Sequence, residues 1–156
     1  MAEHAPWTAE QAASIIEQHR HRDGAALPIL HALQDAFGHV PRDAIPMVAA
    51  ALNLTRAEVH GIASFYHEFR HSPPGRHVLR LCRAEACQAM GADALHAATL
   101  RRLGIGWHET TPDGALTLEP VFCLGLCAVA PSALLDGDPL GRLDPAGLDA
   151  ALEGAR

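Results

Sequence analysis

No lysine occurs in this chain: its twelve basic residues are all arginine, set against eighteen Asp and Glu for a formal net charge of −6. The absence excludes a phosphate-binding loop built on lysine and any Schiff-base lysine. There is no basic tract either, which argues against nucleic acid as a partner. No G-x-G-x-x-G follows a strand-like run, so the chain shows no nucleotide site of its own. Long apolar runs are missing: the longest candidate, residues 46–54, falls far short of the roughly 18 residues of a membrane helix. The opening residues, MAEHAPWTAEQ, lack the basic start and apolar stretch of a signal peptide. The expectation is therefore a cytoplasmic protein with no membrane segment.

Cysteine is scarce, and the four present are the most informative residues. Cys82 and Cys87 lie in LCRAEACQAMG, and Cys123 and Cys127 lie in VFCLGLCAVAP. The spacing is C-x4-C and then C-x3-C, with residues 88–122 between the pairs. In a reducing compartment such a set points to ligands before disulfides. Four readings stay open on spacing alone: an all-thiolate 2Fe–2S cluster, a structural zinc site on all four thiolates, two disulfides, or a thiol–disulfide oxidoreductase. Zinc knuckles favour C-x2-C pairs, and an oxidoreductase wants C-x-x-C at a helix start; neither form is present. An iron–sulfur cluster is anionic and needs main-chain N–H donors close to sulfur. Gly125 and the small residues Ala84, Ala86, Ala89 and Ala128 suit that need. Arg83, beside Cys82, either offsets the added charge on reduction or is an ordinary solvated side chain. The histidines add little, although His60 and His67 are spaced to share one helix face.

Punctuation divides the chain. Residues 1–70 read as a bundle of four short helices. Thr8 caps the first, to about Arg22, with Ile15 and Ile16 inward and Gly24 as its stop. The second spans about Leu27 to Phe37, with Leu30, Leu33 and Phe37 near one face and Gly38 as its C-terminal cap. The third spans about Arg42 to Leu52, with Ile45, Val48, Ala49 and Leu52 as its stripe and Pro46 tolerated in the first turn. The fourth opens on the capping box Thr55-x-x-Glu58 and carries the stripe Val59, Ile62, Ala63, Tyr66. Such a bundle either buries its own stripes or serves as a docking arm, with Phe65, Tyr66 and Phe69 as candidate interface residues. HSPPG, residues 71–75, is a linker.

Residues 76–156 read as a small α/β domain. A strand from His77 ends at Cys82, a helix runs from about Gly91 to Leu103 with Leu95, Ala98 and Leu103 inward, and a second strand runs from Leu116 to Phe122. A third strand at Ser132–Leu135, an edge strand around Leu140 and a helix opened by Pro145 complete it. A strand–helix–strand unit makes its two strands parallel. Cys82 and Cys123 then leave the same sheet edge, which would turn two distant pairs into one site. The expected class is α+β.

The paired cysteines with a helical bundle ahead of them resemble the thioredoxin-like 2Fe–2S ferredoxin family, to which the small NADH-dehydrogenase subunit of respiratory complex I (the E subunit in bacteria) belongs. LPILHALQDAFGHVP, AEVHGIASFYHEF, ETTPDGALTLEPVFCLGLCAVAP and GRLDPAGLDAAL carry the resemblance over nearly the whole chain. It implies a thioredoxin-like domain, one 2Fe–2S cluster held by Cys82, Cys87, Cys123 and Cys127, no catalytic residue, and Pro131 at the cis-proline position. One departure narrows it. Complex I members usually carry small or hydroxyl residues after the first cysteine, whereas CRAEACQAMG, preceded by FRHSPPGRHVLRL, looks like the gamma subunit of soluble NAD-dependent molybdenum formate dehydrogenases. Related subunits occur in NAD-linked bidirectional hydrogenases. The implied partners are a molybdenum-containing alpha subunit and a flavin/NAD-binding beta subunit that holds FMN and takes NAD. Outside the family, the alternative is a zinc-stabilised interaction module.

Overall fold

Capping chemistry sets out the first four helices. In the computed structural model, which describes residues 4–154, Thr8 accepts a hydrogen bond from the Gln11 N–H and starts α1 (Ala9–His19). α2 (Ala26–Phe37) ends at Gly38, whose φ of 77° suits a residue without a Cβ. α3 (Ala44–Leu52) stops on Asn53 in the same left-handed region. At α4 (Arg56–Phe65) the capping box forms in full: Thr55 accepts from the Glu58 N–H, and the Glu58 carboxylate accepts from the Thr55 N–H at 2.7 Å.

Helices this short are marginal alone, so the stripes must meet. Ile16, Ile29, Leu33, Phe37, Val48 and Val59 are buried together, and Trp7 stands edge-on to Phe37. Leu30, Val40, Ala63 and Phe69 form a second core. Each large side chain buried this way contributes about 1.5–3 kcal/mol.

Several expectations need correction. α1 ends at His19, where the chain turns with Arg22 N–H bonded to the His19 carbonyl, before reaching Arg22 as a helix. α3 begins at Ala44, two residues later than its pattern suggests. α4 ends at Phe65 because Tyr66 takes an extended conformation. His67 therefore lies off the helix and shares no face with His60. Tyr66 is 42% exposed instead of completing the stripe, and Phe69 is buried in its place.

The chain divides into two compact units, one running to Pro73 and the other from Pro74 onward. In the second, five strands form a sheet in the order β2–β3–β1–β4–β5. These are β1 (His77–Cys82), β2 (Glu109–Thr110), β3 (Leu116–Val121), β4 (Ala133–Leu135) and β5 (Asp138–Leu140). β1 and β3 are parallel, with Cys82 level with Val121; the other pairings are antiparallel. Leu79 and Leu81 on β1 and Leu116 and Leu118 on β3 pack with Leu95 of α6 (Ala92–Leu103) and with Leu148 and Leu152 of α7 (Pro145–Gly154). α7 is capped by Asp144, which accepts from the Gly147 N–H at 2.7 Å, with Pro145 in the first turn. The inward face of α6 also takes His96 and Thr99, while Ala98 is only half-buried.

Two elements escape the sequence pattern. β2 is two residues long and exists because the turn Thr111–Gly114 folds it back on β3. A one-turn helix, α5 (Glu85–Ala89), follows Cys82 and has no side-chain cap to announce it. The Ala130–Pro131 bond is cis, as the resemblance implies. Among the described residues no helix is long and apolar enough to cross a membrane.

Candidate metal centre

The sheet delivers the cysteines. β1 terminates on Cys82, and β3 terminates two residues before Cys123. Since these strands are parallel neighbours, both chain segments leave the sheet at one edge. α5 then presents Cys87, and a short 3-10 turn, Cys127–Val129, begins on Cys127. All four thiols are free. They differ in exposure: Cys82 and Cys87 are 2% and 1% exposed, packed with Ala92 and Ala130, whereas Cys123 and Cys127 are exposed with their sulfurs 3.8 Å apart.

Main-chain N–H groups converge on this sulfur set. Burial pushes the Cys82 thiol up, but hydrogen bonds from the Ala84 N–H, from Cys87, and from the Cys123 and Leu124 N–H groups outweigh it and hold the thiol below its ordinary value. Its donors thus come from both loops. Cys127 moves the other way: its hydrogen bond to Cys123 and the negative charge there push it up, with burial and the charges of Cys87 and Cys82 adding to the effect. The four sulfurs share one electrostatic neighbourhood. Gly125 donates its N–H to Cys123 Sγ at 3.4 Å from a φ of 74°, and Cys123 itself has a φ of 82°. A non-glycine residue there costs about 1–2 kcal/mol, a strain of the kind found where a loop is shaped for a ligand.

Behind the buried pair lies a supporting layer. The Cys82 N–H donates to the Ser132 carbonyl at 3.0 Å, and Cys87 Sγ lies 3.5 Å from Ser132 Oγ. Arg83 is half-buried and makes contacts: its guanidinium carbon sits 5.1 Å from the Trp107 ring centroid, and its Nε is buried. Trp107 also meets His96 edge-on. Burial pushes His96 below its ordinary value, opposed by Asp93 and by the Cys82 main chain and reinforced by Arg83. Ser132, His96 and Trp107 carried no sequence signal of a role here. A buried histidine and a serine at a strand end are identified only once the cysteines are seen beside them.

Chemically, this is a soft-donor site with two thiols below the surface and two at it. Among the described residues no three His, Cys, Asp or Glu side chains converge on a single ion position. Thiols in two pairs suit a two-iron cluster, in which each iron takes two protein ligands.

Residues 12–156 match the family described as thioredoxin-like 2Fe-2S ferredoxin. The chain is 37% identical to the E subunit of NADH-quinone oxidoreductase from Pseudomonas aeruginosa over 139 residues, 88% of this chain and 84% of that protein. It is 42% identical to the E 2 subunit of NADH-quinone oxidoreductase from Rhizobium meliloti over 135 residues, 86% of this chain and 80% of that protein. Among solved structures it is similar to the NAD+-reducing NiFe hydrogenase in its H2-reduced state, with a TM-score of 0.67 and 32% identity over 81% of this chain. It spans 22% of that hydrogenase chain.

Proposed function

The chain belongs to the thioredoxin-like 2Fe-2S ferredoxin family, and on that premise we propose that it is the electron-transfer subunit of a cytoplasmic NAD-dependent formate dehydrogenase, docked on the flavin/NAD-binding subunit. Its fold is α+β, a helical bundle followed by a thioredoxin-like domain, and its cofactor is one 2Fe–2S cluster. The observation that carries the reading is the convergence of two cysteine pairs at one sheet edge, one buried and one exposed. Bound there, such a cluster takes up and passes on one electron at a time.

The protein's own residues do the rest. Cys82, Cys87, Cys123 and Cys127 would hold the cluster, the first two from within the protein and the last two from its surface. N–H donors from Ala84, Cys123, Leu124 and Gly125 offset the charge on the sulfurs and favour the more negative reduced state. Burial of the first pair excludes water from that side. The exposed pair, with exposed Phe122 next to Cys123, is the end from which an electron leaves or enters. On this reading, formate oxidation at molybdenum and NAD reduction at FMN fall to the partner subunits. The helical unit, which carries an apolar groove of about 460 Å³ between Leu27, Leu54, Ile62 and Tyr66, serves as docking arm.

CRAEACQAMG is the feature that favours formate dehydrogenase as host. A second reading, the equivalent subunit of complex I or of an NAD-reducing hydrogenase, is favoured by the relatives and the hydrogenase structure. The zinc-module reading asks for four thiolates on one ion and lacks the family match that supports the cluster. Tagged protein isolated anaerobically from its own cells separates these. A brown complex that contains molybdenum and flavin and reduces NAD with formate is expected. Partners that instead carry nickel, or a set of membrane subunits, would replace the formate host with one of the others. A colourless protein with stoichiometric zinc would end the cluster reading.

A further inference from the structure

Ser132 lies between the cis proline and β4 and is 3% exposed. It holds both members of the buried cysteine pair. Its carbonyl accepts the Cys82 N–H at 3.0 Å, which fixes the main chain as an extension of the β1–β4 ladder. Its hydroxyl stands 3.5 Å from Cys87 Sγ, and no other partner of that hydroxyl is found among the described residues. The main-chain donors described above act on Cys82 and Cys123; Ser132 is the group that faces Cys87.

With a free thiol, either atom of this contact could donate. A cysteine that ligates a metal is a thiolate and has no proton to give. The hydrogen between the two atoms then belongs to Ser132. We propose that Ser132 is a positioning residue for the cluster: its O–H donates to the Cys87 sulfur and biases the cluster toward its reduced state. The inference rests on Cys87 being a ligand. Hydrogen bonds to charged acceptors exceed neutral ones, and the sulfurs carry more negative charge after reduction. The bond therefore strengthens on reduction, the sense in which hydrogen bonds to sulfur set cluster potentials. Burial keeps water from substituting for it.

The test uses the cluster-loaded chain and reads its potential. Ser132→Ala should retain iron, sulfide and the visible spectrum. At a fixed ambient potential its ratio of reduced to oxidised cluster should fall about threefold to tenfold, or roughly 30–60 mV at 59 mV per decade for one electron. Ser132→Gly should fall likewise, and Ser132→Thr, which keeps the hydroxyl, should return toward wild type. Thr99→Ala removes another buried hydroxyl, one that donates to the Leu95 carbonyl instead of to sulfur, and should leave the potential in place. In deuterated buffer, electron–nuclear double resonance of the reduced cluster should lose one exchangeable coupling in Ser132→Ala. An intact cluster with unchanged potential and unchanged couplings in both the alanine and glycine variants overturns the inference while leaving the cluster assignment standing. Wild-type protein without iron and sulfide would instead overturn the assignment itself.

Discussion

Cys82 and Val121 are register partners in the parallel pair β1–β3. That single pairing sets where both cysteine loops begin. It also predicts how the four positions differ when changed. Serine at buried Cys82 or Cys87 must present an oxygen ligand inside a shell packed for sulfur, so cluster content should fall severalfold. Serine at exposed Cys123 or Cys127 has room to adjust, so part of the cluster should survive at lowered potential. Iron and sulfide per chain, with the potential of what remains, check this. A variant with wild-type content and spectrum would remove its cysteine from the ligand set.

Gly141 bears on Cys127 from a distance in sequence. A Cβ there would stand 2.7 Å from Val129 Cγ2 and 3.2 Å from the Val129 carbonyl oxygen. Val129 closes the turn that Cys127 opens, and its carbonyl already accepts the Arg142 N–H at 2.6 Å. Gly141→Ala should therefore destabilise the protein by about 1–3 kcal/mol through overpacking and lower cluster content with it. Gly61, inside α4, offers the contrast, since nothing lies within 4 Å of a Cβ there. Gly61→Ala should stabilise by about 0.5–1 kcal/mol. Chemical denaturation of the two variants, beside an iron assay, shows whether the signs differ.

What the sequence made legible was local or periodic. Gly38 and the Thr55–Glu58 box announce helix ends because capping needs only neighbours. The strands that end near Cys82 and Cys123 follow from apolar runs and the order of elements. α5 did not announce itself: a single turn has no period to detect, and Ala84 caps nothing. Tyr66 was misplaced because the stripe continues past the point where the backbone leaves the helix. Ser132 acquires its role from Cys87, and Trp107 from Arg83 and from His96 of α6, contacts that no spacing rule encodes.

The Thr55 cap carries a prediction about the helical unit. Its hydroxyl accepts from the Glu58 N–H at 3.2 Å, one of the otherwise unpaired donors at the start of α4. Thr55→Ala should cost about 1 kcal/mol, seen as a lower midpoint in thermal unfolding, with the cluster spectrum unchanged at low temperature. Thr55→Ser should recover most of the loss. Equal stability of the alanine variant and wild type would mean that packing of Val59 and Ala63 alone fixes where α4 starts.

Acid should weaken the second unit through Asp136. Its carboxylate accepts from His77 at 2.6 Å and from the Val78 N–H at 2.8 Å, tying the β4–β5 turn to the start of β1. Partial burial pushes the carboxyl up, but these hydrogen bonds and the charge of His77 prevail and hold it below its ordinary value. The folded protein therefore releases this proton more readily than the unfolded chain does, and in acid the unfolded chain binds more protons. The contribution is complete above the ordinary aspartate value of about 3.9 and is lost as pH falls through the lower folded value. With the side chain 30% exposed, the ion pair contributes no more than about 1 kcal/mol. Asp136→Asn keeps an oxygen for the Val78 N–H and cannot titrate. Urea midpoints of wild type and variant in matched buffers cancel acid effects common to both, including loss of labile sulfide. Wild type should lead at pH 6, and the gap should close below about pH 4. A gap that stays constant to pH 3 would show that the Asp136–His77 bond is not the acid-sensitive tie.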